Sequence, residues 1–445
     1  MKTNLFIKLP LMICISILML VNVSCQKFDY SNFNNPAIDE DTVNANKSVL
    51  QSLVTGTEAS SRTYLPYYID DVGVAGREHI RYSGSEPRYL SDLLGAGSST
   101  LNNNTFYVTN PWGYCYATIR TANTLISAAR NSTFITDGER LGYYAYAKTM
   151  QAYQLLMCLN LMDTIRIDVE NPLNLGPLVG REEGLAYILS FLDDAANELK
   201  DPSCSFSFLT TISSRGPVSV ASIETPADFL LVNRALAARV ATYSKNWTLT
   251  LTDLDQSFLN RAGDFYAGVY HVFSNGSHDI TNPLYFPRNA TGELRGVEPH
   301  YATDILPEDD RINKAPLRDI PYSQKDLTSD RDVFIYPTNT SPVAIIRNEE
   351  LILLAAEAEI NLGQTASAIS DLNIIRTAHG LTEYTGATDQ TSLINELLYE
   401  RRYSLAFEGH RWVDLRRYNM LNILPLDRPD DHIWTNFPIP LSETH

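Results

Sequence analysis

The sequence is poor in cysteine, in basic charge and in the signatures of known chemistry. Five cysteines occur in 445 residues. Cys14 lies inside an N-terminal apolar run and Cys25 just beyond it, which leaves Cys115, Cys158 and Cys204, an odd number that argues against a disulfide framework. Cys115 shares a helical stripe with Ile119, Ala122 and Ile126, and Cys158 sits beside Leu155 and Met162, so both read as inert core thiols. Lysine and arginine number 35 against 52 acidic residues, a net charge of −17. That balance disfavours nucleic acid and anionic lipid surfaces, both of which call for basic patches. No HExxH, CxxC, GxxxxGK[ST] or GxSxG is present. The acids of DLDQSF, from Asp253, lack the glycine of a calcium-binding EF loop, Phe258 standing in its place, and read as solvated acids of a helix. No cofactor is called for, although a structural calcium ion elsewhere is compatible with so acidic a chain. No two carboxylates stand out as a glycosidase pair.

The N-terminus carries Lys2 and Lys8, an apolar run from Leu11 to Val21, and Ser24 before Cys25. This is the layout of a secretory signal, too short to span a membrane. The Cys after a small residue resembles a bacterial lipoprotein signal, which implies removal of residues 1–24 and lipidation of Cys25. Removal takes Lys2 and Lys8 and leaves 33 basic against 52 acidic residues, −19. Residues 25–40 read as a polar tether, and 25–445 as one domain anchored to a membrane without crossing it.

Most of the remainder has helical spacing. Thr225-Pro226 makes a cap and first turn ahead of Phe229, Val232, Leu236, Val240 and Tyr243. Leu185, Ile188, Leu192, Ala195 and Leu199 form a second stripe, and Leu254, Phe258, Ala262, Phe265 and Val269 predict another. RNEELILLAAEAEINLG predicts a helix buried on most of its circumference that ends at Gly363, with Thr365 capping a partner helix that ends at Gly380.

Two stretches, 62–112 and 270–345, are rich in Gly, Asn, Pro, Ser and aromatics and predict long functional loops. Tyrosine is abundant, 25 residues beside 16 Phe and 4 Trp. Aromatic faces flanked by Arg and Asn suit the apolar faces and polar edges of sugars. The candidate ligand contacts are Tyr67, Arg81, Tyr82, Arg88, Tyr89 and Tyr107. Most tyrosines in such loops anchor them to the body, so each has a structural role as its alternative.

Near the C-terminus, Leu397, Arg401, Leu405, Glu408 and Trp412 fall on one helical stripe with charges interleaved, and Gly409 predicts a bend or break. Charges in such a stripe are tolerated when paired, and Arg401, Glu408, Arg411 and Asp414 read as a structural network more readily than as catalytic groups. ERRYSLAFEGHRWVDLRRY, Glu400 to Tyr418, resembles the hallmark segment of the SusD/RagB family of outer-membrane nutrient-binding lipoproteins. The likeness extends to PVAIIRNEELILLAAEAEINLG, DLNIIRTAHGL, WGYCYATIRTANTLI, EDDR and the closing NFPIPLSE. Gln151 stands where the family usually has Arg, and MDTIRI replaces its Gly-Asp-x-Pro.

The resemblance implies a mainly α fold, a right-handed superhelix of tetratricopeptide-like helix pairs with a loop-rich half that binds ligand. It implies a surface-exposed lipoprotein of the outer membrane, without catalysis, that takes up an oligosaccharide and delivers it to a SusC-like TonB-dependent transporter barrel. A RagB-like peptide-binding lipoprotein is the alternative of the same fold, and a glycosidase the alternative of another class. In this frame Arg401, Glu408, Arg411, Trp412 and Asp414 are the structural family motif.

Overall fold

Helix boundaries follow the caps that the sequence supplies. The computed structural model describes residues 44–171, 174–215 and 223–444. The expected signal, the Cys25 lipidation site and the tether lie outside the described residues. Asn46 opens α1 (Lys47–Ser60) by accepting the Ser48 and Val49 amides. Then come α2 (Leu65–Ala75), β1 (His79–Ser83), α3 (Arg88–Ser91), α4 (Phe106–Asn131) and α5 (Asp137–Met162). A capping box starts α5, with the Thr136 hydroxyl accepting the Glu139 amide while Glu139 accepts the Thr136 amide.

β2 (Thr164–Arg166) and β3 (Leu178–Gly180) pair antiparallel ahead of α6 (Arg181–Lys200). After β4 (Ser213–Arg215), α7 (Pro226–Tyr243) begins at the predicted cap, Thr225 Oγ1 accepting the Asp228 amide at 3.2 Å. The chain continues through α8 (Trp247–Asp255), β5 (Gly268–His271), β6 (Glu293–Val297), α9 (His300–Asp304), β7 (Leu317–Gln324), β8 (Leu327–Arg331) and β9 (Val343–Arg347). It closes with α10 (Asn348–Asn361), α11 (Thr365–Ala378), α12 (Gln390–Ser404) and α13 (Arg411–Arg417).

Each helix from α4 to α8 packs on the next, α7 and α8 meet α10, and α10 lies against α11 and α12. The fold is therefore mainly α, built from tetratricopeptide-like helix pairs. α10 is buried around its circumference, as its run of small and apolar residues predicts, with Ala355, Ala356 and Ala358 at its close approaches. Gly363 and Gly380 end the α10–α11 pair with φ of +73° and +82°.

The sheets are small and tie distant segments together. β1 pairs with β6, placing Arg81 opposite Arg295, and β4, β5 and β9 form the one three-stranded sheet of the described residues. Among those residues no helix is long and apolar enough to cross a membrane. Cys115 and Cys158 are buried and unpaired.

Several expectations need correction. The stretch 62–112 is less a loop than its composition suggests, since α2, β1, α3 and the start of α4 occupy much of it. Tyr64 and Tyr68, which fall in that stretch, supply buried apolar surface to α2. The helix through Leu254 stops at Asp255, because residues 268–271 gain strand pairing with β9. Thr365 does not cap α11; Gln364 precedes it without a side-chain cap. Asp253 is not a solvated acid but buried, 3.0 Å from Arg234 Nη1, with its pKa pushed up to about 6 by burial against the pull of that arginine.

Candidate functional site

The charged segment folds into a brace. α12 ends at Ser404, and the chain turns through Phe407 (φ +64°) and Gly409 (φ +87°) before α13, so Leu397 to Trp412 is not one continuous stripe. The break falls at the expected glycine. A Cβ on Gly409 would lie 3.1 Å from Ile69 Cδ1 and Tyr68 Cε1 of α2. Arg401 Nε donates to Asp414 Oδ2 at 2.7 Å, and Arg417 reaches both Asp414 and Glu357 at 2.7 Å. Arg347 donates to Glu408 at 2.8 and 3.0 Å, and Arg239 makes a two-bonded pair with Glu350 at 2.6 Å. Burial alone would raise the Asp414 pKa, but Arg401 and Arg417 outweigh it and hold the group at about 2. Trp412 is fully buried and donates its indole N–H to the Trp434 carbonyl. These groups are spent on one another, which is how a fold accommodates buried charge.

The six predicted ligand contacts divide. Tyr82 and Tyr107 are fully buried, and Arg81 and Tyr89 nearly so, which removes them from a ligand surface. Tyr107 donates to Asp92 Oδ2 and accepts the Asn102 amide, pinning its own loop. Tyr82 meets the edge of Tyr322 at 5.0 Å, and Arg81 sits between the Tyr89 and Phe286 rings while pairing with Glu293. The β1–β6 pairing holds Arg81 and Tyr82 in place, and Phe437 packs on Tyr107 at 6.5 Å.

Tyr67 and Arg88 do reach the surface, and they meet two residues absent from the prediction. Tyr67 of α2 stacks on Tyr114 of α4, centroids 5.8 Å apart at 25°, with Phe106 at 6.2 Å. Tyr114 is 38% exposed, while Tyr67 and Phe106 are half-buried. The exposed Arg88 guanidinium lies 5.0 Å over the Phe106 ring and is held by Glu86 through its Nε at 2.7 Å. Phe106, Asn110 and Tyr114 share one face of α4 at spacings of four, a signal present in the sequence but masked by the family-like helix motif around Trp112. The result is a firm aromatic surface with a cation and an amide at its edge, suited to the CH faces and hydroxyls of a sugar.

The second stretch, 270–345, contributes a cleft of about 380 Å³. Tyr270, Phe334 and Tyr336 line it with Tyr266, which is 47% exposed and lies under the Arg347 guanidinium at 5.5 Å. Lys314 enters it, bonded to the Tyr403 carbonyl at 2.9 Å, with burial lowering its pKa to about 8. Among the described residues no three His, Cys, Asp or Glu side chains converge to hold a metal ion.

A sequence model of the SusD family matches residues 332–437, which span β9 to α13 and the brace. The SusD-like protein P38 of Formosa agariphila is 30% identical over 188 residues, 35% of this chain and 37% of that protein. The chain thus matches little more than a third of that relative's length. Solved structures agree over far more of the fold. A SusD superfamily protein from Bacteroides vulgatus superposes with a TM-score of 0.66 over 90% of this chain and 96% of that one, at 14% identity. A surface glycan-binding protein A from Bacteroides uniformis gives 0.63 over 88% and 96%, at 15% identity. At such identities the likeness concerns the fold.

Proposed function

We infer that the chain belongs to the SusD/RagB family, and from that premise we propose that it captures oligosaccharides on the Tyr67–Phe106–Tyr114 surface, without catalysing their cleavage. The observation that carries this reading is the half-exposed Tyr67–Tyr114 stack beside Phe106 and Arg88. Rings already fixed against each other lose little freedom when a sugar packs on them. Asn110 and Arg88 supply hydrogen bonds to its edge. The glycan-binding protein from Bacteroides uniformis lends support, having the same fold.

In this proposal Cys25 carries the lipid that holds the protein at the outer membrane, and a SusC-like TonB-dependent transporter receives the ligand. Isothermal titration against a glycan panel tests the binding step. One glycan class should bind, and the Tyr67→Ala/Tyr114→Ala double variant should lose roughly tenfold in affinity, about 1.4 kcal/mol. Full affinity in that variant with loss in Tyr266→Ala would move the site to the cleft. No binding to any glycan would sink the proposal.

A further inference from the structure

The brace contains one arginine that the pairing leaves out. Among the described residues, every other buried arginine makes an ion pair, for example Arg77 with Asp427, Arg295 with Asp70 and Arg318 with Asp332. Arg411, only 9% exposed, makes none. Its single hydrogen bond runs from Nε to the Gly76 carbonyl at 3.2 Å. A guanidinium has five N–H donors, and those of Arg411 that the protein leaves unbonded are free to meet an anion.

Arg411 lines a groove of about 290 Å³ between α12 and α13, and its Nη atoms are not sealed from solvent. A second guanidinium, Arg402, borders the same groove, bonded to Asp304 at 2.9 Å and to the His300 carbonyl at 3.1 Å. Asp414 also lines it, but Arg401 and Arg417 already hold that carboxylate. Glu78 and Glu298 act on Arg411 through their charges without forming an ion pair with it, and Glu78 is a buried acid that accepts the Phe407 amide. The groove therefore has one cation to spare. Burial and the Arg402 charge bring the Arg411 pKa down to about 10, so it remains charged at neutral pH. Besides these groups, Asp304 and the Asn395 amide, the lining is Leu398, Leu415, Met420 and Ile423, with Ile423 49% exposed at the rim. Aliphatic walls of this kind accept a branched side chain, and Tyr399 is the sole ring among them.

We propose that this groove binds the C-terminal residue of a short peptide, its α-carboxylate on Arg411 and Arg402 and its aliphatic side chain on the Leu398–Ile423 floor. A planar carboxylate matches the guanidinium fork and supplies the partner that the fold withholds. The site is separate from the aromatic surface, so the two ligands should bind independently.

The test is calorimetric titration of the intact protein with acetyl-Leu-Leu, its C-terminal amide, acetate and glucuronate. Acetyl-Leu-Leu should bind, with the amide weaker by about tenfold or more. Ile423→Glu, which places a like charge at the exposed rim, should abolish binding while the aromatic surface keeps its glycan affinity. Arg411→Lys should weaken binding and, where it fails to fold, Ile423→Glu alone decides. Equal binding of the amide, undiminished binding by Ile423→Glu, tighter binding of acetate or glucuronate than of the peptide, or no binding of acetyl-Leu-Leu overturns the proposal.

Discussion

The brace around α12 and α13 and the surface across α2, α3 and α4 are built from similar residues, arginines, carboxylates and large rings, and they use them in opposite ways. In the brace the guanidiniums are buried and nearly all are answered by carboxylates of other elements, as Arg417 is by Glu357 of α10. On the surface, Arg88 is answered only by its near neighbour Glu86, and it spreads over an exposed ring. Satisfied charge makes scaffold, whereas an exposed ring beside an exposed charge leaves binding capacity for something else. Residue type alone does not separate the two; what lies on the far side of each side chain does.

The comparison breaks most visibly if charge is removed from the brace. Arg401→Ala strands Asp414 with one partner and should cost about 3–5 kcal/mol, read from urea unfolding. The folded fraction should keep its glycan affinity; lost affinity at unchanged stability would mean that the brace is part of the ligand site.

The next effect is a pH dependence. Burial pushes the Glu78 pKa up to about 7, against the opposing pull of the Phe407 amide. The folded state therefore holds a proton that the unfolded chain has released above pH 4.5, the ordinary value for this group. Its contribution to stability is complete below that value and is lost as pH rises through about 7, by roughly 1.4 kcal/mol per pKa unit. Glu78→Gln keeps an acceptor for the Phe407 amide and should flatten the stability profile between pH 5 and 8. An unchanged slope would show that Glu78 titrates normally.

Gly409→Ala tests the turn between the two helices. A positive φ and 3.1 Å contacts to Ile69 and Tyr68 should together cost about 1–3 kcal/mol, measured as a lowered unfolding midpoint. On the other side of the comparison, Arg88→Ala should leave stability within about 0.5 kcal/mol while weakening glycan binding by a factor of about 2 to 5. A large loss of stability there would make Arg88 scaffold after all.

The sequence made the existence of the brace legible, because full charges at apolar helical positions are tolerable only when paired. It did not identify Glu350 and Glu357 as partners individually, since every carboxylate of α10 is chemically eligible and only packing chooses among them. The aromatic surface was half legible. Tyr67 and Arg88 reach the surface, but Tyr82, Tyr107 and Arg81 are covered by segments remote in sequence. Tyr114 was hidden by the opposite signal, a helical motif that suggested core.

What the sequence determined by itself was local: caps such as Thr225 and Thr136, terminators such as Gly363 and Gly380, and the stripes between them, all set by interactions within a few residues. Tertiary structure alone decided which tyrosines meet solvent and which arginine is left without a carboxylate. Both depend on the second neighbour of a side chain, contributed by an element far away along the chain, and no local pattern encodes that neighbour.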